Sequence, residues 1–415
     1  MRAGQDSRAI KVLMLGWELP PFFAGGVGVV CDALTRALAS RNVDVTYLMP
    51  RGPQESRHGR VRVVATSPLE QRIRLQAVAS ALHSYAAGDG PAHAVAWSQG
   101  RRVDRFHPLY GPDLLGEVVE FARRSVELVR SHDVAFDVIH AHDWTTFAAG
   151  LALQRAFGKP LVAHVHITEF DKSGGHHADA LVYALEREGM HGADVLVAVS
   201  ERIKRTCVER YGVTASRVRV IYNGIDPDEE EREPIAFDEP VVLFLGRMTL
   251  QKGPEYFLEA AARVHRVHPG VRFVMAGSGD LLPRMIERAA ELGLGAHVSF
   301  TGFVDREQAG VLYRSADVFV MPSVSEPFGI VPLEAMDQAV PTIVSRQSGV
   351  AEVLCNALKV DFWDTEDLAA KILAALRYPG LRCELARHGR REVGRMGWSA
   401  VAQQVESTYR EVTHA

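Results

Sequence analysis

What most constrains this chain is a rhythm that runs twice. Short runs rich in β-branched residues and leucine alternate with longer stretches of helical periodicity. Runs that are apolar throughout, without polar alternation, belong to strands buried on both faces, and connections long enough to hold a helix let such strands lie parallel. In the first half strands are expected at 11–15, 43–48, 61–64, 138–140, 161–166, 195–199 and 218–222, and in the second at 241–245, 272–275, 298–300, 318–321, 342–345 and 358–360. Between the halves, residues 226–240 hold eight acidic side chains and three prolines with no apolar period, the mark of a solvated linker. The expected fold class is therefore α/β, with two doubly wound Rossmann-like domains facing across a cleft.

The 415 residues leave room for two cores, since one core rarely serves more than about 250–300 residues. A formal net charge of −4, from 47 basic and 51 acidic residues, gives no bulk attraction for nucleic acid or an anionic membrane. Cys31, Cys207, Cys355 and Cys383 lie far apart, without metal-ligand or disulfide-framework spacing. No apolar stretch approaches the roughly 20 residues of a membrane span, and the first apolar run, at 12–15, is too short for a signal-peptide core. A cytoplasmic protein with no stable membrane insertion is expected. The segment 67–112 is less regular and reads as a surface insertion or an acceptor-contacting or membrane-touching loop. A helix expected at 117–130 mixes both charge signs, unlike a basic membrane anchor.

Six places carry chemistry-bearing residues at or after the ends of expected strands, where open α/β sheets hold their ligands. The first turn runs from Trp17 through Pro20 and Pro21 to Gly25, Gly26 and Gly28 and opens a helix. Glycines admit a close ligand, and a helix N-terminus suits a phosphate. A purely structural turn remains open, while the absence of G-x-G-x-x-G disfavours nicotinamide chemistry. Two histidine pairs follow, His140 with His142 and His164 with His166. They read as crevice residues or as packed structural histidines. Zinc is the rival reading, but it needs a third ligand, which the sequence does not name.

In the second half the strand at 241–245 leads into Gly246, Arg247 and, shortly after, Lys252, one of only seven lysines. Arginine can grip a phosphate with two parallel bonds and lysine adds a mobile charge, so the pair can neutralise a leaving diphosphate without a metal. The turn 276–280 contains Gly277 and Gly279 and admits a base or phosphate. In the segment 325–334, Glu326 follows a strand and turn, Gly329 permits close approach, and Glu334 falls within the next helix. One carboxylate can then meet a sugar and the other a ribose, with the amides of Phe328, Gly329 and Ile330 turned to a phosphate.

Taken together, these residues resemble family 4 retaining glycosyltransferases of the GT-B fold, close to bacterial glycogen or starch synthase-like members. The match covers nearly the whole chain: Trp17, Glu18, Pro20 and Pro21 before Gly25, Gly26 and Gly28; His140 to Trp144; Asn223 to Asp226; Arg247 and Lys252; and Glu326-x7-Glu334. The resemblance implies that Arg247 and Lys252 bind the donor diphosphate, Glu326 the sugar hydroxyls and Glu334 the ribose. It implies that His166 lies beside the transferred sugar, that Ser200 is a polar cleft position, and that the last helix, from Trp398, crosses back onto the first domain. The implied domains are 1–228, completed by about 398–415, and 238–397.

The implied reaction moves glucose from ADP-glucose or UDP-glucose to an α-glucan end with retention, with no metal and no cofactor besides the nucleotide-sugar donor. Alternatives are a small-molecule or lipid-linked acceptor, or a non-catalytic sugar-nucleotide or glucan-binding module. Asp226-x-Asp228 imitates a metal-binding pair but lies in the acidic linker. Two departures stand out. Phe23 occupies the place of a lysine in the fuller glycogen synthase signature, and Ala339 replaces a usual glycine, a change that is tolerable where the backbone angle is ordinary.

Overall fold

The computed structural model describes residues 9–20, 25–52, 55–68, 97–98, 101–102, 113–175, 177–228 and 233–414. Pro21, Phe23 and most of the segment 67–112 lie outside the described residues, as do linker residues 229–232.

The first sheet comprises β1 (Lys11–Leu15), β2 (Asp44–Gly52), β3 (Glu55–His58), β4 (Val61–Pro68), β5 (Val138–His142), β6 (Leu161–Val165), β7 (Val195–Ala198) and β8 (Val218–Val220). Their order is β8-β7-β6-β5-β1-β2-β4-β3, and all pairings are parallel except β3 with β4. The second sheet comprises β9 (Val241–Leu245), β10 (Arg272–Ala276), β11 (Val298–Gly302), β12 (Val318–Met321), β13 (Thr342–Ser345) and β14 (Leu358–Val360), in the order β11-β10-β9-β12-β13-β14. Each order runs outward from its first strand in both directions, so each sheet has a switch point, between β1 and β5 in one and β9 and β12 in the other. Crevices open at such points beyond the carboxyl ends of the strands.

The central strands are buried along their whole length. That is why their apolar runs were continuous and their positions legible. β3 is polar and closes on β4 through a tight turn led by Gly59, with φ of 60°. A polar edge strand of this kind blunts the sheet margin and has no apolar run to announce it.

The last helix, Trp398–His414, lies on the first sheet's side, where Trp398, Val401, Ala402, Val405 and Tyr409 join the core beneath the helix Gly26–Ser40. The chain thus crosses between the domains twice, and the crossings touch: Ile225 bridges Gly397, and the Ile225 N–H donates to Met396 O at 2.9 Å. A Cβ on Gly224 would come within 2.8 Å of the Trp398 nitrogen, so this glycine is where one crossing passes the other. The linker is anchored rather than freely solvated at its described ends. Asp226 pairs with Arg36, and the Asp228 N–H donates to the buried Asp337 carboxylate at 2.8 Å.

Ala339 has φ of 58°, in the left-handed region. The angle is therefore not ordinary, and the alanine bears strain that the usual glycine would not.

Candidate active site

Both switch points present the sequence-predicted residues, one wall from each domain. On the first wall, the Glu18 carboxylate accepts the Gly28 N–H at 3.1 Å, and the Tyr47 hydroxyl donates to Glu18 O at 2.7 Å. The chain's own carboxylate thus already stands at the start of the helix Gly26–Ser40, where a phosphate was expected. A Cβ on Gly26 would meet no described atom within 4 Å.

His140 and His142 project from β5, His164 from β6, and His166 lies in the turn just beyond β6. The four rings form one buried cluster. His142 Nδ1 and His166 Nε2 are hydrogen-bonded at 2.8 Å, His140 Nε2 and His164 Nδ1 at 3.2 Å, and His140 Nδ1 meets the Tyr409 hydroxyl at 2.5 Å. His164 stacks on His166 with ring centroids 4.1 Å apart. Burial drives all four toward the neutral form: His140 and His166 are pushed down to about 3, and His142 and His164 also fall well below the ordinary histidine range. Asp143, with a strained φ of 58°, accepts the backbone N–H groups of His166 at 2.7 Å and Ile167 at 3.3 Å, and burial raises its carboxyl to about 7. The third ligand that zinc would need now has two candidates. Cys31 joins His142 and His166 in one set of mutually close donor atoms, and His140 joins His142 and His164 in another.

On the second wall, Gly246 and Arg247 follow β9, and Lys252 ends a single tight turn before the helix Pro254–Val267. Arg247 is exposed and makes no ion pair with a described residue. Lys252 instead donates to the Glu326 carboxylate, which also accepts the Ser323 hydroxyl at 3.5 Å. Two residues assigned to one donor thus already touch. Beyond Glu326, the backbone N–H groups of Phe328, Gly329 and Ile330 donate to no described acceptor. Gly329, with φ of 100°, gives this turn its shape. Glu334 accepts the Tyr313 hydroxyl at 2.8 Å, and burial raises its carboxyl above the usual range. Gly277 has an internal explanation: a Cβ there would lie 1.9 Å from Gly246 O, so the glycine lets two turns pack together.

The walls meet at their base. The Ser200 hydroxyl donates to Pro327 O at 2.6 Å, and the Ser325 hydroxyl donates to Asp171 at 2.8 Å. The Glu352 carboxylate accepts the N–H groups of Glu201 and Arg202, both at 2.8 Å, at the start of the helix Glu201–Glu209. Tyr313, Glu352 and Tyr409 escaped sequence reading because each reaches the site from a distant segment with no local motif. A shallow groove lined by Tyr183, Arg187 and His191 holds none of the residues above. Among the described residues, no helix is long and apolar enough to cross a membrane.

Comparison with known proteins agrees with this architecture. Residues 24–229 match the family described as Glycosyltransferase Family 4, and residues 226–392 match Glycosyl transferases group 1. The alpha-maltose-1-phosphate synthase of Mycolicibacterium smegmatis is 30% identical over 344 residues, covering 74% of this chain and 87% of that protein. The glycogen synthase of Mycobacterium tuberculosis is 28% identical over 414 residues, covering 96% and 94%. Among solved structures, Anabaena HepE in complex with UDP and glucose superposes with a TM-score of 0.70 at 18% identity, covering 97% of this chain and all of that one.

Proposed function

Because this chain belongs to the family 4 glycosyltransferases and has their GT-B fold, we propose that it transfers glucose from ADP-glucose or UDP-glucose to the end of an α-glucan, with retention and without a metal ion. The observation that carries this reading is the second wall. Three consecutive amides, Phe328 to Ile330, with no acceptor among the described residues, lie at the same switch point as the exposed Arg247 and Lys252. Such a set matches a diphosphate, whose charge grows as it leaves. The solved complex of HepE with UDP and glucose supports a nucleotide-sugar donor, and the glycogen synthase relative supports a glucan acceptor.

In the proposed reaction the bond between the sugar C1 and the diphosphate oxygen breaks, and a bond from C1 to the acceptor oxygen forms on the same face. The acceptor proton passes to a donor phosphate oxygen. Arg247, Lys252 and the three amides hold the leaving diphosphate. Glu326, steadied by Lys252, holds sugar hydroxyls, and Glu334 meets the ribose through the carboxylate oxygen that Tyr313 does not use. Gly25, Gly26 and Gly277 border the donor. His166 lies beside the transferred sugar as a neutral ring, which places no positive charge next to a centre that becomes cationic in the transition state.

The test is donor binding followed by transfer. A thermal-shift panel of ADP-, UDP- and GDP-sugars identifies the donor through its stabilisation of the folded form. Transfer to an α-glucan is then measured in the wild type and in Lys252→Ala, and undiminished transfer in the variant refutes the assignment. The maltose 1-phosphate-forming relative favours a second reading, a small phosphorylated sugar as acceptor. Product size after reaction with glucan or with glucose 1-phosphate separates the two.

A further inference from the structure

The helix Glu201–Glu209 belongs to the first domain, yet its first turn is completed by the second. A helix leaves its first N–H groups without partners of its own. Here the Ile203 N–H donates to the Ser200 hydroxyl at 3.2 Å, within the same domain. The N–H groups of Glu201 and Arg202 reach instead across the base of the crevice to the Glu352 carboxylate, each at 2.8 Å. A negative charge at this end also meets the positive pole of the helix dipole.

Glu352 is tied as closely to the three open amides of the second wall. It ends the tight turn Gly349–Glu352, and the residues around that turn are bonded to the segment 326–330. The Glu326 N–H donates to Gln347 O at 3.1 Å, the Gly349 N–H to Glu326 O at 2.9 Å and the Val350 N–H to Phe328 O at 2.8 Å. The segment cannot shift and leave Glu352 in place without breaking these bonds. A Cβ on Gly349 would lie 2.2 Å from Pro327 O and 2.6 Å from Ser200 Cβ, so the segment, the turn and the first domain meet at this one residue. The same helix also reaches the first wall. The Arg202 guanidinium donates to the Ser325 hydroxyl at 2.9 Å, and that hydroxyl donates to Asp171, shortly beyond His166.

We propose that Glu352 is a positioning residue, coupling a diphosphate at the amides of Phe328 to Ile330 to the seating of the helix Glu201–Glu209, and so holding the two walls at a fixed reach. This rests on the donor site proposed above. Coupling between two events is reciprocal: the factor by which a nucleotide tightens the helix cap is the factor by which the cap tightens the nucleotide. A residue that only supports folding imposes no such equality.

The test is hydrogen exchange of the full chain, alone and with saturating ADP or UDP. Nucleotide should slow exchange at residues 326–330 and, through Glu352, at residues 201–202 by at least about fivefold, the lower end of typical coupling. Glu352→Ala should abolish the slowing at 201–202 and weaken nucleotide binding by the same factor. Glu352 is exposed, so its truncation leaves the core intact, and Glu352→Gln, whose amide oxygen still accepts, should recover part of both effects. Nucleotide that slows 326–330 but not 201–202, or slows 201–202 equally in Glu352→Ala, refutes the coupling and leaves the donor site standing. Nucleotide that slows neither region refutes the donor site and the coupling with it.

Discussion

The two walls of the crevice stand on sheets that both run outward from their first strand, yet one is neutral and the other is charged. The first presents four uncharged imidazoles and a carboxyl raised to about 7. The second presents Arg247, the Lys252–Glu326 pair and three open amides. Shared topology therefore fixes where a ligand is met, while the residues at the strand ends fix what each side does with it. On the proposed reading, the neutral side shelters the sugar as it becomes cationic and the charged side stabilises the departing diphosphate.

The largest effect that would break this contrast is acid sensitivity. Between pH 6.5 and about 3 the unfolded chain binds protons that folded His140 and His166 refuse, so stability is full above pH 6.5 and falls on acidification. A tenfold change in proton affinity is worth about 1.4 kcal/mol, so each such ring contributes on the order of a few kcal/mol. Denaturant titrations at pH 7, 5.5 and 4.5 measure it, and equal midpoints would mean the wall is not neutral. Asp143 has the opposite sign. Its raised carboxyl holds a proton that the unfolded state has released, so its contribution declines as pH rises from about 4 to 7. Asp143→Asn should remove that slope while still accepting the two backbone bonds.

On the charged side, Lys252→Ala should lower turnover by about 10²–10³-fold, the usual cost of losing one donor aimed at developing negative charge. Arg247→Ala should cost at least about tenfold, near 1.4 kcal/mol of barrier, with an unchanged melting temperature because the side chain is exposed. Wild-type kinetics in either variant would dissolve the distinction between the walls. The smallest effect lies behind the second wall: Ala339→Gly should stabilise the protein by about 0.5–1 kcal/mol by relieving the left-handed alanine, as read by the shift in melting temperature.

Much of this was legible in the sequence, for a physical reason. Strands buried on both faces write continuous apolar runs, and β9, β12 and β13 fall at the residues those runs mark. Arg247, Lys252 and Glu326 could be picked out because each closely follows a strand, and Glu334 because it falls in the helix just beyond Glu326. Partnerships were not legible. Nothing near Lys252 in sequence announces its contact with Glu326, and nothing near His140 points to Tyr409, 269 positions later. The strain at Ala339 was also hidden, since only the angle decides whether the replacement of glycine matters.

The returning helix has a temporal consequence. Its seat on the first domain is apolar and stays uncovered until Trp398 through Tyr409 have been synthesised. The half that leaves the ribosome first is thus the half that matures last, and the second domain can close its own core while its elder waits. A fragment ending before Trp398 would leave the ribosome with that seat bare, an invitation to aggregate that the intact polypeptide meets only in passing.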